Sequence, residues 1–352
     1  MNIVFDFIRS PEARLKQVES GLAPRESLLG YHWLKTNNFP VSESGSRHNI
    51  KRGFIYFVRK WIDLPSLMVL QQWRKADVVV VATRLSLVIA LVVKLLGKKL
   101  VFYDAMQHQP RSWHRRCLAR MSIGLADRVI FFSANQLKKW QHNFPVLKGN
   151  GTNIPYGIDA QFYAPMVSRF TNMVSPLTNR TEDQLISVGR DTHRDFATLV
   201  SALESLNMQL ILVTQSYLID DSIRESSHIT IADDLSYQEL AGYYNQSAAT
   251  VVPIIEGTSH LSGIRAAMES MAMKVPVIIT RNDSLEEYFN HTETVLFYQA
   301  EDVASLVSAI ATLRTEKPTV ERLTDRAYKM LVEKFTVEAM ALALISEIES
   351  IR

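Results

Sequence analysis

Short apolar, β-branched runs alternate with longer segments of helical period along this chain. Runs of four to eight such residues bounded by turn formers read as strands. Apolar positions recurring every three or four residues read as helices. In the first half the pattern predicts strands at Asn2–Phe7, Val78–Ala82, Lys99–Tyr103 and Arg128–Phe132. In the second half it predicts them at Leu185–Val188, Gln209–Val213, His228–Ile231, Thr250–Ile254, Val277–Thr280 and Thr294–Phe297. Helices are predicted between them, among others at Leu85–Leu96, Phe196–Leu206, Ser236–Gln246 and Ser262–Met273. Regular alternation of this kind is the signature of parallel α/β sheets, here two doubly wound domains facing a cleft. The stretch 146–157 collects Gly149, Gly151, Pro155 and Gly157 and marks the seam. The predicted division is 1–155, 156–335, and a C-terminal segment 336–352 whose amphipathic helix, Val337–Ile351, would bridge the two domains.

Composition sharpens this outline. The chain has 352 residues, 47% hydrophobic and 21% charged, which excludes disorder as the main state and exceeds one comfortable core. The lone Cys117 excludes a disulfide framework and a cysteine-based zinc cluster. The histidines other than His108 show no metal-ligand spacing, so no structural metal is expected. The longest apolar stretch, Ala76–Leu96, is interrupted by Asp77, Arg84 and Lys94, which a bilayer-spanning helix would have to bury. The start MNIVFDFIRSPE has no basic leader. A cytoplasmic protein is expected.

The net charge of +3 hides a split. Residues 1–155 carry 24 Lys and Arg against 9 Asp and Glu, a net of +15. The remainder carries 15 against 27, a net of −12. All five tryptophans (Trp33, Trp61, Trp73, Trp113, Trp140) lie in the basic half.

The densest chemistry follows the predicted strand at 250–254. A loop of small and polar residues, Gly257-Thr258-Ser259-His260, leads to a helix opening at Ser262-Gly263. Ser262 is the expected N-cap, and the free N–H groups behind it make an anion site. Ile264, Ala267, Met268 and Met271 form one apolar stripe, which places Ser262 and Glu269 together on the opposite side. That side suits a phosphate at the helix start and ribose hydroxyls on Glu269. The spacing equally allows a solvated glutamate on an ordinary amphipathic helix.

Three motifs in this region resemble those of GT-B nucleotide-sugar glycosyltransferases of the group 1 type (glycosyltransferase family 4). The first is Met268-Glu269-Ser270-Met271-Ala272 followed by Val275-Pro276-Val277-Ile278, similar to the family's glutamate helix and next strand. The second is Ile154-Pro155-Tyr156-Gly157-Ile158-Asp159 with Phe162 and Pro165, which resembles the family's linker. The third is Val188-Gly189-Arg190 with Arg194-Asp195-Phe196 and Leu199, similar to the element that holds the donor diphosphate. Together they span 154–287. The first half matches only in general pattern, including 125–140. The resemblance implies two Rossmann-like domains, a nucleotide-sugar donor (UDP- or GDP-linked), no cofactor, and metal-independent transfer. It also implies a donor site of Gly189, Arg190, Arg194, Ser262, Gly263 and Glu269. Arginines and a helix N-terminus are physically suited to the charge that develops on a leaving diphosphate. Three departures stand out. Leu261 occupies the place of the family's other glutamate, Arg194 that of a lysine, and Arg9-Ser10-Pro11-Glu12 that of a glycine pair.

In the first half, Asp104 and His108 follow the strand KLVFY and are the candidate catalytic residues. Either suits a general base on an acceptor hydroxyl, giving inversion, or sugar binding in a retaining enzyme. A loop-capping Asp and a surface His fit the same positions. The segment Arg47–Lys75 interleaves bases with Phe54, Tyr56, Phe57, Trp61 and Trp73. With Arg115, Arg116, Arg120, Lys138 and Lys139 it suits an anionic membrane surface, while solvated basic faces over a normal core are the plainer reading. No recognition motif points to nucleic acid. The sequence therefore reads as a glycosyltransferase with a glycan or lipid-linked acceptor, in cell-surface or exopolysaccharide synthesis, cytoplasmic or peripheral at the inner membrane face. A nucleotide-sugar epimerase of the same fold, or a non-catalytic nucleotide-sugar or carbohydrate-binding protein, remain open. A dehydrogenase is disfavoured, because no strand is followed by the dinucleotide glycine fingerprint.

Overall fold

The computed structural model describes residues 1–8, 10–44, 65–104, 110, 112–171, 181–258 and 260–351. Its contacts divide the chain into two units, Met1–Gly157 with Val337–Arg352, and Ile158–Thr336.

The first unit holds a parallel six-stranded sheet of β1 (Ile3–Asp6), β2 (Val41–Ser44), β3 (Val78–Ala82), β4 (Lys99–Tyr103), β5 (Arg128–Phe131) and β6 (Gly151–Asn153), ordered β2-β1-β3-β4-β5-β6. The continuous apolar run of β3 reflects helices on both faces, and all five of its residues are buried. Val79, Val81, Phe102 and Val129 form a core with Ile89 and Val93 of helix Leu87–Leu95 and Ile123 of helix Trp113–Leu125. Two strands escaped the pattern. β2 (VSES) is an edge strand of half-polar sequence, and β6 (GTN) has three residues and no apolar one.

The C-terminal helix, Val337–Glu349, packs within this first unit. Gly30, at φ 83°, lets it approach: a Cβ there would lie 3.1 Å from Ala341 Cβ. Arg25 pairs with Glu338 at 3.0 Å, and Arg128 with Glu347 at 3.3 Å. Trp73 and Trp140 are fully buried in the core of this unit, so neither belongs to a membrane-facing aromatic surface. Trp113 is 77% exposed. The basic-aromatic residues 47–64 lie outside the described residues.

The second unit holds β7 (Thr181–Val188), β8 (Gln209–Val213), β9 (Ile229–Ala232), β10 (Ser247–Val252), β11 (Val277–Thr280) and β12 (Leu296–Tyr298), ordered β12-β11-β10-β7-β8-β9 and all parallel. The strand order reverses between β10 and β7. That topological switch point is where open α/β sheets leave a crevice at the strands' carboxyl ends. Leu185, Leu199, Leu203, Leu210, Val251 and Ile278 anchor its core.

Candidate functional site

The loops after β7 and β10 meet at the switch point of the second unit. Helix Phe196–Leu206 starts there with Asp195 as N-cap, its Oδ1 accepting from Thr198 N at 3.1 Å. Arg194 lies just before the cap with its side chain only 5% exposed. Its Nε donates to Asp191 Oδ2 at 3.0 Å, while Nη1 is buried without a hydrogen-bond partner among the described residues. Two glycines make room for this guanidinium. A Cβ on Gly189 would lie 2.3 Å from Arg194 Nε, and one on Gly263 would lie 3.1 Å from Nη1. Gly263 also has φ 79°, and its Cβ would meet Val252 Cγ1 at 2.3 Å.

Gly263, not Ser262, is the N-cap of helix Ile264–Ala272, and no side chain caps its first turn. The Ser262 hydroxyl donates instead to Asp191 Oδ1 at 3.0 Å, because the αL conformation at Gly263 starts the helix one residue later. Asp191 thus gathers the site: it also accepts from His193 N at 3.0 Å. Burial alone would raise its carboxyl pKa, but Arg194, the His193 N–H and Ser262 together hold it below the ordinary value. Gly189, Arg194, Ser262 and Gly263 therefore converge. Arg190 does not join them; it is half exposed and pairs with Asp233 at 3.2 Å.

Glu269 departs from the reading of a solvated glutamate: it is 4% exposed on a helix buried on almost every side. Its Oε1 accepts from Arg265 Nε at 2.9 Å and Tyr163 OH at 3.2 Å, and its Oε2 from Tyr244 OH at 3.2 Å. Burial, then the neighbouring Glu269, raises the Tyr244 phenol well above its ordinary pKa. Arg265 in turn donates to Tyr237 OH at 2.5 Å and lies over that ring, 5.6 Å from its centroid. The tyrosines come from helices Ala160–Thr171 and Tyr237–Gln246, positions that spacing around Glu269 could not reveal.

Sequence reading also missed a cluster. Asp191, His193 and His260 each offer a ligand atom, and these atoms lie within 4.8 Å of one another. Motif spacing gave no sign of it, because His260 comes from a different loop. In the first unit, Asp104 follows β4 in a left-handed conformation, φ 52°, with its N–H donating to Ile130 O at 3.1 Å. Such a conformation is uncommon outside glycine, though Asp tolerates it. His108 lies outside the described residues.

The architecture of two parallel six-stranded units is that of the GT-B fold. Residues 182–316 match the family model of group 1 glycosyl transferases. Among solved structures, the chain is similar to a sucrose-phosphate synthase from Thermosynechococcus elongatus, with TM-score 0.69, 17% identity and 99% of each chain covered. It is similar to a glycosyltransferase from Rickettsia africae, with TM-score 0.69, 15% identity, and 99% of this chain and 98% of that one covered. It also resembles Anabaena HepE in complex with UDP and glucose, with TM-score 0.68, 14% identity, and 99% of this chain and 100% of that one covered. No curated protein matches the chain by sequence. The resemblance to group 1 glycosyltransferases thus stands on a family match over the second unit and on a shared fold over the whole chain. Among the described residues no helix is long and apolar enough to cross a membrane.

Proposed function

We propose that the second unit binds a nucleotide-sugar and that the chain transfers its sugar to a hydroxyl acceptor. The observation that carries this reading is Arg194: a buried guanidinium with a hydrogen-bonding position to spare, beside an uncapped helix start at a topological switch point. Arginine and helix N-terminus together suit a diphosphate, and no cofactor is needed for that role. HepE, of the same fold, is complexed with UDP and glucose, which favours a UDP-linked donor here. In the transfer, the acceptor oxygen forms a bond to the anomeric carbon as the bond to the diphosphate breaks. The electron pair leaves with the diphosphate. The acceptor proton goes to Asp104 or His108 if the reaction inverts, or to the departing diphosphate if it retains.

The acceptor proposed is a glycan or lipid-linked sugar. Most of the exposed large apolar side chains belong to the first unit, including Leu67, Met68, Leu95 and Trp113. Helix Trp113–Leu125 interleaves Trp113, Leu118 and Met121 with Arg115, Arg116 and Arg120, all exposed, and this favours an anionic membrane surface. Leu261, standing where the family places a glutamate, favours as a second reading a binding protein without turnover.

A thermal-shift screen against UDP, GDP, ADP and their sugars tests the donor. One of these should raise the melting temperature in wild type and fail to do so in Arg194→Ala; no shift from any of them would overturn the reading. Product formation separates transferase from binder. Asp104→Asn should abolish transfer and spare donor binding, and wild-type turnover would remove Asp104 as base.

A further inference from the structure

The loops at the switch point hold a second constellation, which shares Asp191 with the proposed donor site. Asp191 Oδ1 lies 3.8 Å from His193 Nδ1, and the His193 and His260 rings meet edge to face with centroids 4.5 Å apart. All three residues are half-buried, and their ligand atoms share a space of 4.8 Å. A tetrahedral ion with bonds of about 2.0–2.2 Å holds neighbouring donors about 3.3–3.6 Å apart. The cluster is therefore open by at most about 1.5 Å relative to a ligated one. Rotation of two imidazoles supplies a movement of that size without moving the backbone.

The carboxylate is already oriented. Arg194 Nε holds Oδ2 at 3.0 Å, and the His193 N–H and Ser262 hydroxyl hold Oδ1, each at 3.0 Å. Outer hydrogen bonds of this kind fix the direction of a ligating side chain. A cation on Oδ1 requires the Ser262 hydroxyl to turn its proton away, which needs rotation about a single bond. Two imidazole nitrogens and one carboxylate oxygen form a donor set for borderline cations such as Zn²⁺, Co²⁺ and Ni²⁺. Mg²⁺ and Ca²⁺ prefer sites built from oxygen.

We propose that Asp191, His193 and His260 form a binding site for one divalent transition-metal ion, with a coordination position left open to solvent or an anion. Because Asp191 also pairs with Arg194, a bound cation draws on the same carboxylate and leaves the guanidinium freer to hold an anion. This coupling rests on the donor reading above; the metal site itself does not.

The test is a Co²⁺ titration of the full chain followed by visible absorption, with Zn²⁺ calorimetry beside it. One equivalent should bind, Zn²⁺ should displace Co²⁺, and a large excess of Mg²⁺ should not. His193→Ala and His260→Ala should each weaken binding at least about tenfold. His228→Ala, outside the cluster, should leave it unchanged. Absence of saturable one-equivalent binding, or wild-type affinity in His260→Ala with its fold confirmed by circular dichroism, would overturn the proposal. His260→Gln repeats the test if the alanine variant does not fold. Metal binding without any nucleotide effect would refute the coupling and leave the site standing.

Discussion

At the scale of single residues, the consequences of the structure concentrate on Glu269 and Arg194. Glu269 accepts from Tyr163, Tyr244 and Arg265, so removing its carboxylate takes an acceptor from two buried phenols. Glu269→Ala should cost about 2 kcal/mol of unfolding free energy, the usual loss when buried donors lose a charged acceptor. Glu269→Gln keeps the shape and part of the hydrogen bonding, so it isolates the charge. If ribose hydroxyls use the remaining capacity of Oε2, Glu269→Gln should weaken UDP binding about tenfold; unchanged affinity by calorimetry would take Glu269 out of the donor site. Gly189→Ala probes Arg194 without touching it, since the new Cβ would sit 2.3 Å from Nε. Donor affinity should fall nearly as far as in Arg194→Ala. Arg194 and the two glycines were legible in the motif, because a charge needs room and glycine provides it. The tyrosine shell of Glu269 was not, because it comes from helices far along the chain.

At the scale of elements, helix Ile264–Ala272 shows what periodicity misses. Its apolar stripe is real, but Ala266, Glu269, Ser270 and Ala272 are buried too, so the helix has almost no solvent side. A small-residue surface looks polar in a pattern and still packs. The helix begins at Gly263, whose φ of 79° an alanine would strain by about 1–2 kcal/mol before the contact with Val252 is counted. Gly263→Ala should therefore lower the stability of the second unit by more than about 1 kcal/mol, read by urea unfolding. In the first unit, Asp127 ties helix Leu87–Leu95 to β4: it accepts from Leu100 N at 2.7 Å and pairs with Lys94, and with Lys99 at 3.4 Å. Burial alone would raise its pKa, but Lys94, the Leu100 N–H and Lys99 together lower it. A carboxylate depressed in the folded state stabilises fully above its unfolded pKa of about 4, and that stability is lost as pH falls through the folded value. Asp127→Asn should thus cost about 1–2 kcal/mol at pH 7. The gap to wild type should narrow below about pH 4, and a gap that stayed constant down to pH 3 would contradict the ion pair. The apolar strands were read nearly to the residue because β3, β4, β8 and β11 are buried runs. β2 and β6 carry no such signal.

At the scale of the molecule, the charge split is what remains to be explained. The first 155 residues carry +15 and the rest −12. A domain that only covers a core has no need of such an excess, and fields of this size act at distance on anionic partners. Trp73 and Trp140 are taken by the core, so a membrane-facing surface rests on other residues. Helix Trp113–Leu125 is the surface proposed for this contact, with three arginines exposed beside Trp113, Leu118 and Met121. Each basic residue near an anionic surface contributes roughly 1 kcal/mol, and the attraction fades with salt. Three charge reversals therefore exceed what is needed to abolish weak surface binding. Wild-type protein should pellet with phosphatidylserine vesicles at low salt and release as salt rises, while remaining in solution with phosphatidylcholine. Arg115→Glu, Arg116→Glu and Arg120→Glu combined should abolish pelleting and leave donor binding intact, because the proposed donor site belongs to the second unit. Failure of the wild type to pellet at low salt would overturn the membrane surface proposed for the basic half.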